Sequence, residues 1–425
     1  MMNQFNKSRR SFLKSAAIGT SAITFGGILP GFSAKSYANI VGANEKVHVA
    51  MMGVNARGLA LANNFSSQPN CEVVYICDVD RRAAAKCISQ VAKNQSREPK
   101  SQEDFRKVLD RKEVDAMVIA TPDHWHAPAA ILASKAGKHV YLEKPCSHNP
   151  YEGELLVKVA EKYKNVVQMG NQRRSWPNVA AGIADLHNGI IGKPYFAKTW
   201  YTNNRPSIGI GKKVAVPEWL NFDLWQGPAP RKEYKDNILH YNWHWFWHWG
   251  TGEALNNGTH MVDLARWGLK VDYPTKVTSA GGRYRYQDDW ETPDTQVIAL
   301  EFGEQGTITW EGRSCNSFHQ YNRGRGILLH GTDGTIMLDR NGYHAYDKAG
   351  NLIKEMKEAE ETDPTDIKGG GLLVDIHVQN FLSGIKDNAK LNSDIEEGHK
   401  SILLCHLGNI AQENGGSLDI DPKTG

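Results

Sequence analysis

"KVHVAMMGVNARG", Lys46 to Gly58, is the stretch whose reading decides the fold. Its apolar run, about Val47 to Met52, reads as a strand; Gly53 breaks the run, and a helix opens near Gly58. "CEVVYICDVD" reads as a second strand ending at Asp78, and "DAMVIATPDHWHAP" and "KHVYLEKP" add two more, each followed by helix-compatible sequence. Strand and helix in alternation imply a parallel sheet covered on both faces, because parallel neighbours need a long crossover and a helix supplies it.

The first turn also carries chemistry. It reads Gly53-x-x-x-x-Gly58, with Asn55 where a dinucleotide fingerprint places its second glycine. Glycine-rich turns are common, but this one follows a strand and opens a helix whose free N–H groups can hold a pyrophosphate. Gly53, Asn55, Arg57 and Gly58 are therefore cofactor-binding candidates. Asp78, at the end of the next strand, would accept from a ribose 2′-hydroxyl and repel a 2′-phosphate, which favours NAD; Arg81 and Arg82 just beyond keep NADP as the lesser reading. "ATPDHWHAP" and "YLEKPCSHNP" fall at the carboxyl edge of the same sheet, where open α/β folds bind ligands. They offer Thr121, Pro122 and His126, then Glu143 and Lys144, to the cofactor.

At 425 residues the chain is long enough for two domains, each with its own core. It is 40% hydrophobic and 23% charged, an ordinary α/β composition. A net charge of +3, without a dense Lys/Arg stripe beyond the N-terminus, gives no reason to expect nucleic acid or an acidic membrane as partner; a small neutral substrate suits that balance better. The six cysteines form no CxxC pair and read as buried free thiols. Residues 1–38 read as a targeting segment. "SRRSFLK", Ser8 to Lys14, is a twin-arginine signal, followed by "AAIGTSAITFGGIL", too short to span a bilayer comfortably, and by small residues at "SYA" before Asn39. The expectation is export by the twin-arginine translocase to the periplasm, along a route that passes folded cargo.

"ATP", "EKP", "GNQRR", "GTHMVDLARWGL" and "GTDGTIMLD" stand in this order along the chain. Together they make the sequence resemble the oxidoreductases of the glucose-fructose oxidoreductase and inositol dehydrogenase type (Gfo/Idh/MocA), over nearly everything after the signal. The resemblance implies an N-terminal Rossmann domain, residues 39–170, that binds NAD or NADP. It implies a C-terminal α/β domain, residues 171–425, whose large open, mainly antiparallel sheet covers the nicotinamide, holds a sugar or polyol, and pairs copies into a homo-oligomer through its outer face. It also implies Lys144 as the central catalytic residue and His260 of "NNGTH" as its partner. The chemistry agrees: oxidising an alcohol needs a base within reach of the hydroxyl proton, and a lysine beside a positively charged nicotinamide has its charged form disfavoured. One departure stands out. Many members carry an aspartate four residues before this histidine, and here the residue is Asn256. Its amide can hold a hydroxyl but supplies no negative charge; Glu253, nearby, is the neighbour that could compensate.

"MGNQRRSW" at the domain junction offers Asn171 to the cofactor and Gln172 and Arg173 to the cleft, since an arginine can fork two ligand oxygens. Beyond it, runs such as "TQVIALEF" and "TITWEG" alternate as antiparallel strands do. "NWHWFWHWGTG", Asn242 to Gly252, is readable as core, metal site or sugar platform. His240, His244 and His248 would align on a helix, yet no HExxH occurs, no carboxylate completes a set, and the crowd of aromatics suits a helix poorly, so no metal is expected. If extended, the run would send its tryptophans to one side and His244, Phe246 and His248 to the other, and its C-terminal end would approach the nicotinamide. Tyr241, Trp243, His244, Glu253, His260 and Arg173 are thus the substrate-side candidates.

Export adds a constraint, because NAD has no obvious supply outside the cytosol. The expected activity is hydride transfer from a sugar or glycoside hydroxyl to a tightly held nucleotide. Redox-neutral glycoside hydrolysis, with NAD reduced and reoxidised inside one cycle, is the alternative, and a non-catalytic sugar-binding homologue is the third.

Overall fold

The computed structural model describes residues 46–339, 342–357 and 371–425. The twin-arginine stretch and its apolar run lie outside the described residues.

Strands β1 (Val47–Met52), β2 (Cys71–Cys77), β3 (Lys100–Gln102), β4 (Ala116–Ile119), β5 (His139–Leu142) and β6 (Val167–Met169) form one sheet in the order β3-β2-β1-β4-β5-β6. Every pairing in it is parallel. Helices α1 (Arg57–Ser66), α2 (Arg81–Val91), α3 (Arg106–Leu109), α4 (Asp123–Lys135) and α5 (Pro150–Tyr163) make its crossovers. Cover on both faces explains why β1, β2, β4 and β5 are buried along almost their whole length. The strand order reverses beside β1, so a crevice opens outside the carboxyl ends of β1 and β4, the position where such sheets take ligands.

Two glycines shape that crevice. Gly53 has φ +77°, and a Cβ there would sit 2.9 Å from the Ala120 carbonyl oxygen. A Cβ on Gly58 would meet the Gly53 carbonyl oxygen at 1.7 Å, so only glycine lets α1 close onto the turn. No side chain caps the N-terminus of α1, which leaves its first N–H groups available to a ligand.

The second sheet has nine strands in the order β14-β13-β12-β11-β7-β10-β9-β8-β15. They are β7 (Pro194–Thr202), β8 (Lys276–Gly282), β9 (Thr295–Glu301), β10 (Thr307–Arg313), β11 (Arg325–Gly331), β12 (Gly334–Asp339), β13 (Gly342–Asp347), β14 (Leu352–Lys357) and β15 (Ser417–Asp419). All pairings are antiparallel except that of β7 with β10. "TQVIALEF" and "TITWEG" become β9 and β10, with burial alternating along each. Ile298, Leu300, Ile308 and Trp310 thereby reach the core shared with α6 (Pro177–His187), α8 (Thr259–Leu269) and α10 (Ile395–Glu413), while the short α7 (Phe222–Gln226) lies in the long segment between β7 and β8. The remaining long helix, α9 (Leu372–Asp387), packs on the parallel sheet's side: Phe381 meets Phe65 and Tyr141 edge-to-face, at 6.1 and 5.7 Å between ring centres. No described helix is long and apolar enough to cross a membrane.

Candidate active site

A cavity of about 480 Å³ runs from the carboxyl edge of the parallel sheet to the loops and strand ends of the second sheet. Of the sequence-derived cofactor candidates, Gly53, Asn55, Arg57 and Asp78 line it from just beyond β1 and β2, and Thr121, Pro122, His126, Glu143 and Lys144 from just beyond β4 and β5. Gly58 does not line it; its part is the close approach of α1 just described. Asn171 is buried and does not line it.

The nucleotide end is built by mutual restraint. Asp78 accepts from the main-chain N–H of Val54 at 2.6 Å and of Asp80 at 2.8 Å. Glu143 accepts from Arg57 at 2.7 Å and from Gln172 at 2.9 Å. Burial alone would raise the Glu143 pKa, but the Arg57 and Lys144 charges outweigh it and hold the carboxyl below its usual range.

The long segment between β7 and β8 returns to this end. Arg81 N–H donates to Trp219 O at 3.1 Å and Asn221 N–H to Val79 O at 3.0 Å. The Arg82 guanidinium stacks 3.4 Å from the Trp219 ring centre and pairs with Asp80 at 3.0 Å, while His240 Nε2 lies 2.9 Å from the same carboxylate. Arg82 is thus committed to protein partners, which removes its support for the NADP reading.

Lys144 directly follows Glu143 and reaches across to a π-helical turn, Ala254–Gly258, that leads into α8. Its Nζ donates to Asn256 O at 2.6 Å and to Asn256 Oδ1 at 3.1 Å. Burial lowers the Lys144 pKa, and Glu143, Asp123 and Glu253 only partly oppose the shift. Asn256 turns its Nδ2 to Glu253 Oε1 at 3.2 Å. Glu253 itself, 3% exposed, does not line the cavity. It pairs with Arg205 at 2.7 Å and accepts from Ser314 at 3.1 Å. Its carboxylate stands behind Asn256, because the π-turn directs the asparagine inward and the glutamate toward Arg205 and Ser314 at the ends of β7 and β10.

His260, in the first turn of α8, completes this end, and burial together with the Lys144 charge holds its pKa well below the usual value. Its Nδ1 and the Thr121 Oγ1 are buried with no partner among the described residues. An unpaired buried polar atom costs about 1–3 kcal/mol, so a ligand's polar groups are what these atoms fit. With the uncapped helix, the clamped Asp78 and the long cavity, they suit a dinucleotide with a polar substrate beyond it.

The aromatic run is not extended. Asn242–Trp245 forms a short 3₁₀ turn, and period-two alternation fails. Tyr241, Trp243 and His244 line the cavity. Trp245 stacks on Trp290 at 4.0 Å, and Trp249 packs against Trp225 at 5.3 Å, each in an apolar cluster and neither lining the cavity. The N-terminal half therefore forms the wall, and the C-terminal end, expected at the nicotinamide, turns into packing. The three histidines diverge: His240 to Asp80, His244 Nδ1 to Tyr241 O at 2.6 Å, His248 Nε2 to Pro230 O at 2.7 Å. Among the described residues no group of three His, Cys, Asp or Glu is placed to hold a metal ion. Arg173 does not line the cavity and stacks 5.2 Å from the Trp176 ring centre.

Sequence reasoning missed several lining residues, Asp123, Tyr201, Arg205 and Arg325 among them. Asp123 opens α4 and accepts from Thr251 Oγ1 at 2.6 Å; burial pushes its carboxyl up to about 7. It stands inside "ATPDHWHAP", and an acid in the first helical turn at the sheet edge was the available signal. Tyr201 and Arg205 belong to "FAKTWYTNNRPSIG", and Arg325 reaches the cavity only through the pairing of β11 with β7.

Residues 47–171 match the Gfo/Idh/MocA oxidoreductase family, NAD-binding Rossmann fold, and residues 199–425 match that family's C-terminal α/β domain. A "Glycosyl hydrolase family 109 protein 2" of Shewanella sp. strain ANA-3 is 32% identical over 383 residues, 80% of this chain and 78% of that one. A "Glycosyl hydrolase family 109 protein" of Saccharopolyspora erythraea is 28% identical over 253 residues, 54% of this chain, so the chain spans only 55% of that relative's length. Among solved structures, levoglucosan dehydrogenase in complex with NADH and levoglucosan is similar in fold, with TM-score 0.68 and 17% identity over 88% of this chain and 99% of that one.

Proposed function

The chain belongs to the Gfo/Idh/MocA family of NAD-binding oxidoreductases, and from that premise we propose that it oxidises a secondary hydroxyl of a sugar or glycoside against a retained nucleotide. The observation that carries this reading is Lys144 Nζ held by both oxygens of Asn256 in a cavity it shares with the unpartnered His260 Nδ1. NAD, when bound, supplies the hydride acceptor. A neutral lysine amine has two hydrogens; Asn256 takes both, and the lone pair is left for the hydroxyl proton. Neutral His260 orients that hydroxyl. Gly53, Asn55 and Asp78 line the nucleotide end, and Trp219 and His240 fold over Arg82 and Asp80 beside it, an arrangement that slows escape.

Redox-neutral glycoside hydrolysis is the second reading, favoured by the names of the curated relatives. It needs a further acid–base pair beyond Lys144, and Tyr241 with His244 supplies one: burial holds the His244 pKa well below the usual value, leaving a neutral ring.

Export to the periplasm by the twin-arginine route belongs to the same proposal, supported by Ser8 to Lys14 and the apolar run after it; retention of the reporter-fused chain in the cytoplasm with both arginines intact would count against it. The function is tested by denaturing purified protein and identifying the nucleotide released, then supplying glycosides without an external acceptor. Keto-sugar with reduced nicotinamide supports oxidation, net hydrolysis supports the second reading, and a protein that neither carries nor binds nicotinamide ends both.

A further inference from the structure

The charges around the cavity are segregated. Its acidic lining residues, Asp78, Asp80, Glu103, Asp104, Asp123 and Glu143, all come from the parallel-sheet half. From residue 171 onward no lining residue is acidic, while two arginines, Arg205 and Arg325, face the cavity. Arg205 is already neutralised by Glu253 at 2.7 Å. Arg325 is different: it is half-buried at the start of β11, opposite Tyr201 in the register, with its guanidinium 5.5 Å from the Tyr201 ring centre. Among the described residues it has no hydrogen bond and no ion pair. Lys144, also in this region, spends its donors on neutral oxygens.

Resting on the functional reading above, we infer that the substrate is an acidic sugar, whose carboxylate or ester-linked sulfate is recognised by Arg325 on the substrate-side wall. A guanidinium fork matches such an oxyanion with two parallel, charge-assisted hydrogen bonds, and a pocket that screens it from water strengthens them. The tyrosine ring beneath Arg325 holds the group in place while leaving its N–H donors unspent. The net charge of +3 describes the chain as a whole, and the local wall does not follow that average.

The test uses NAD-loaded protein and matched sugars: glucose against glucuronate and a glucose sulfate ester, and galactose against galacturonate. Binding is followed by calorimetry, and nicotinamide reduction by near-ultraviolet absorbance. The acidic member of a pair is expected to bind about tenfold tighter or more; the carboxylate and sulfate arms show which oxyanion the site prefers. Arg325→Gln should bring the acidic-to-neutral ratio near one with bound nucleotide retained, and Arg325→Lys should keep part of the preference. Equal affinity within each pair, a preference that survives Arg325→Gln, or binding of none of these sugars overturns the inference. Glucose or galactose that reduces the nicotinamide with no acidic preference defeats this inference alone, whereas absence of any bound nucleotide defeats the functional reading itself.

Discussion

Lys144 Nζ lies 2.6 Å from the main-chain oxygen of Asn256 and 3.1 Å from its side-chain oxygen. Residues 112 positions apart, one after the last-but-one strand of the parallel sheet and one on the turn before α8, therefore meet at one point of the cavity.

Lys144→Met keeps the length of the stem and removes the amine. Turnover is expected to fall by about 10²–10⁴-fold, the usual worth of a general base, with the nucleotide still bound. Single-turnover reduction of the bound nicotinamide reads this directly, and an unimpaired rate would remove Lys144 from its role.

Asn256→Asp places a carboxylate against the lysine. Negative charge stabilises the protonated amine and raises its pKa, so the neutral, active amine appears only at higher pH. The acid limb of the pH–rate profile should move upward, by about one unit. The new carboxylate also faces Glu253, which now accepts from Asn256 at 3.2 Å, so thermal stability should fall as well.

Asp123 makes stability pH-dependent. Its folded-state pKa is raised to about 7 by burial, above the unfolded value near 4. The protonated acid therefore favours the fold, and this contribution is full below about pH 4 and lost as pH rises through about 7. The difference in unfolding free energy between the protein and Asp123→Asn should shift against the native aspartate across that window. A constant difference between the two pH values would show that Asp123 titrates normally.

Trp219→Ala removes the ring on which Arg82 rests at 3.4 Å. The contact is solvent-exposed on the arginine side and correspondingly modest, so nucleotide release should quicken by about two- to fivefold while the first turnover after reloading is preserved. Dissociation measured by dilution into competing nucleotide checks it.

Both layers of the fold were legible locally. Val47–Met52 with Gly53 and Gly58, the acid at Asp78, and the runs that became β9 and β10 carry their meaning in short-range pattern: a buried parallel strand must be apolar throughout, and a half-covered antiparallel strand must alternate. The aromatic run failed the same reading. Its tryptophans have no single face to fill, because Trp245 and Trp249 enter different clusters while Trp243 stays at the cavity.

The sequence by itself determined the alternation of strands and helices and the nucleotide edge, since each rests on neighbours a few residues away; Lys144, Asn256 and His260 were singled out only by the resemblance of their motifs to those of the family. Tertiary structure alone decided which side chains meet. The choice of Glu253 as the charge behind Asn256 and not a wall of the cavity depends on Arg205, 48 residues earlier. The arrival of Arg325 beside Tyr201 depends on a strand register between segments 124 residues apart. Side-chain charge is written in the sequence, but whether it is neutralised or left facing a ligand depends on partners that only long-range pairing brings within a few ångströms.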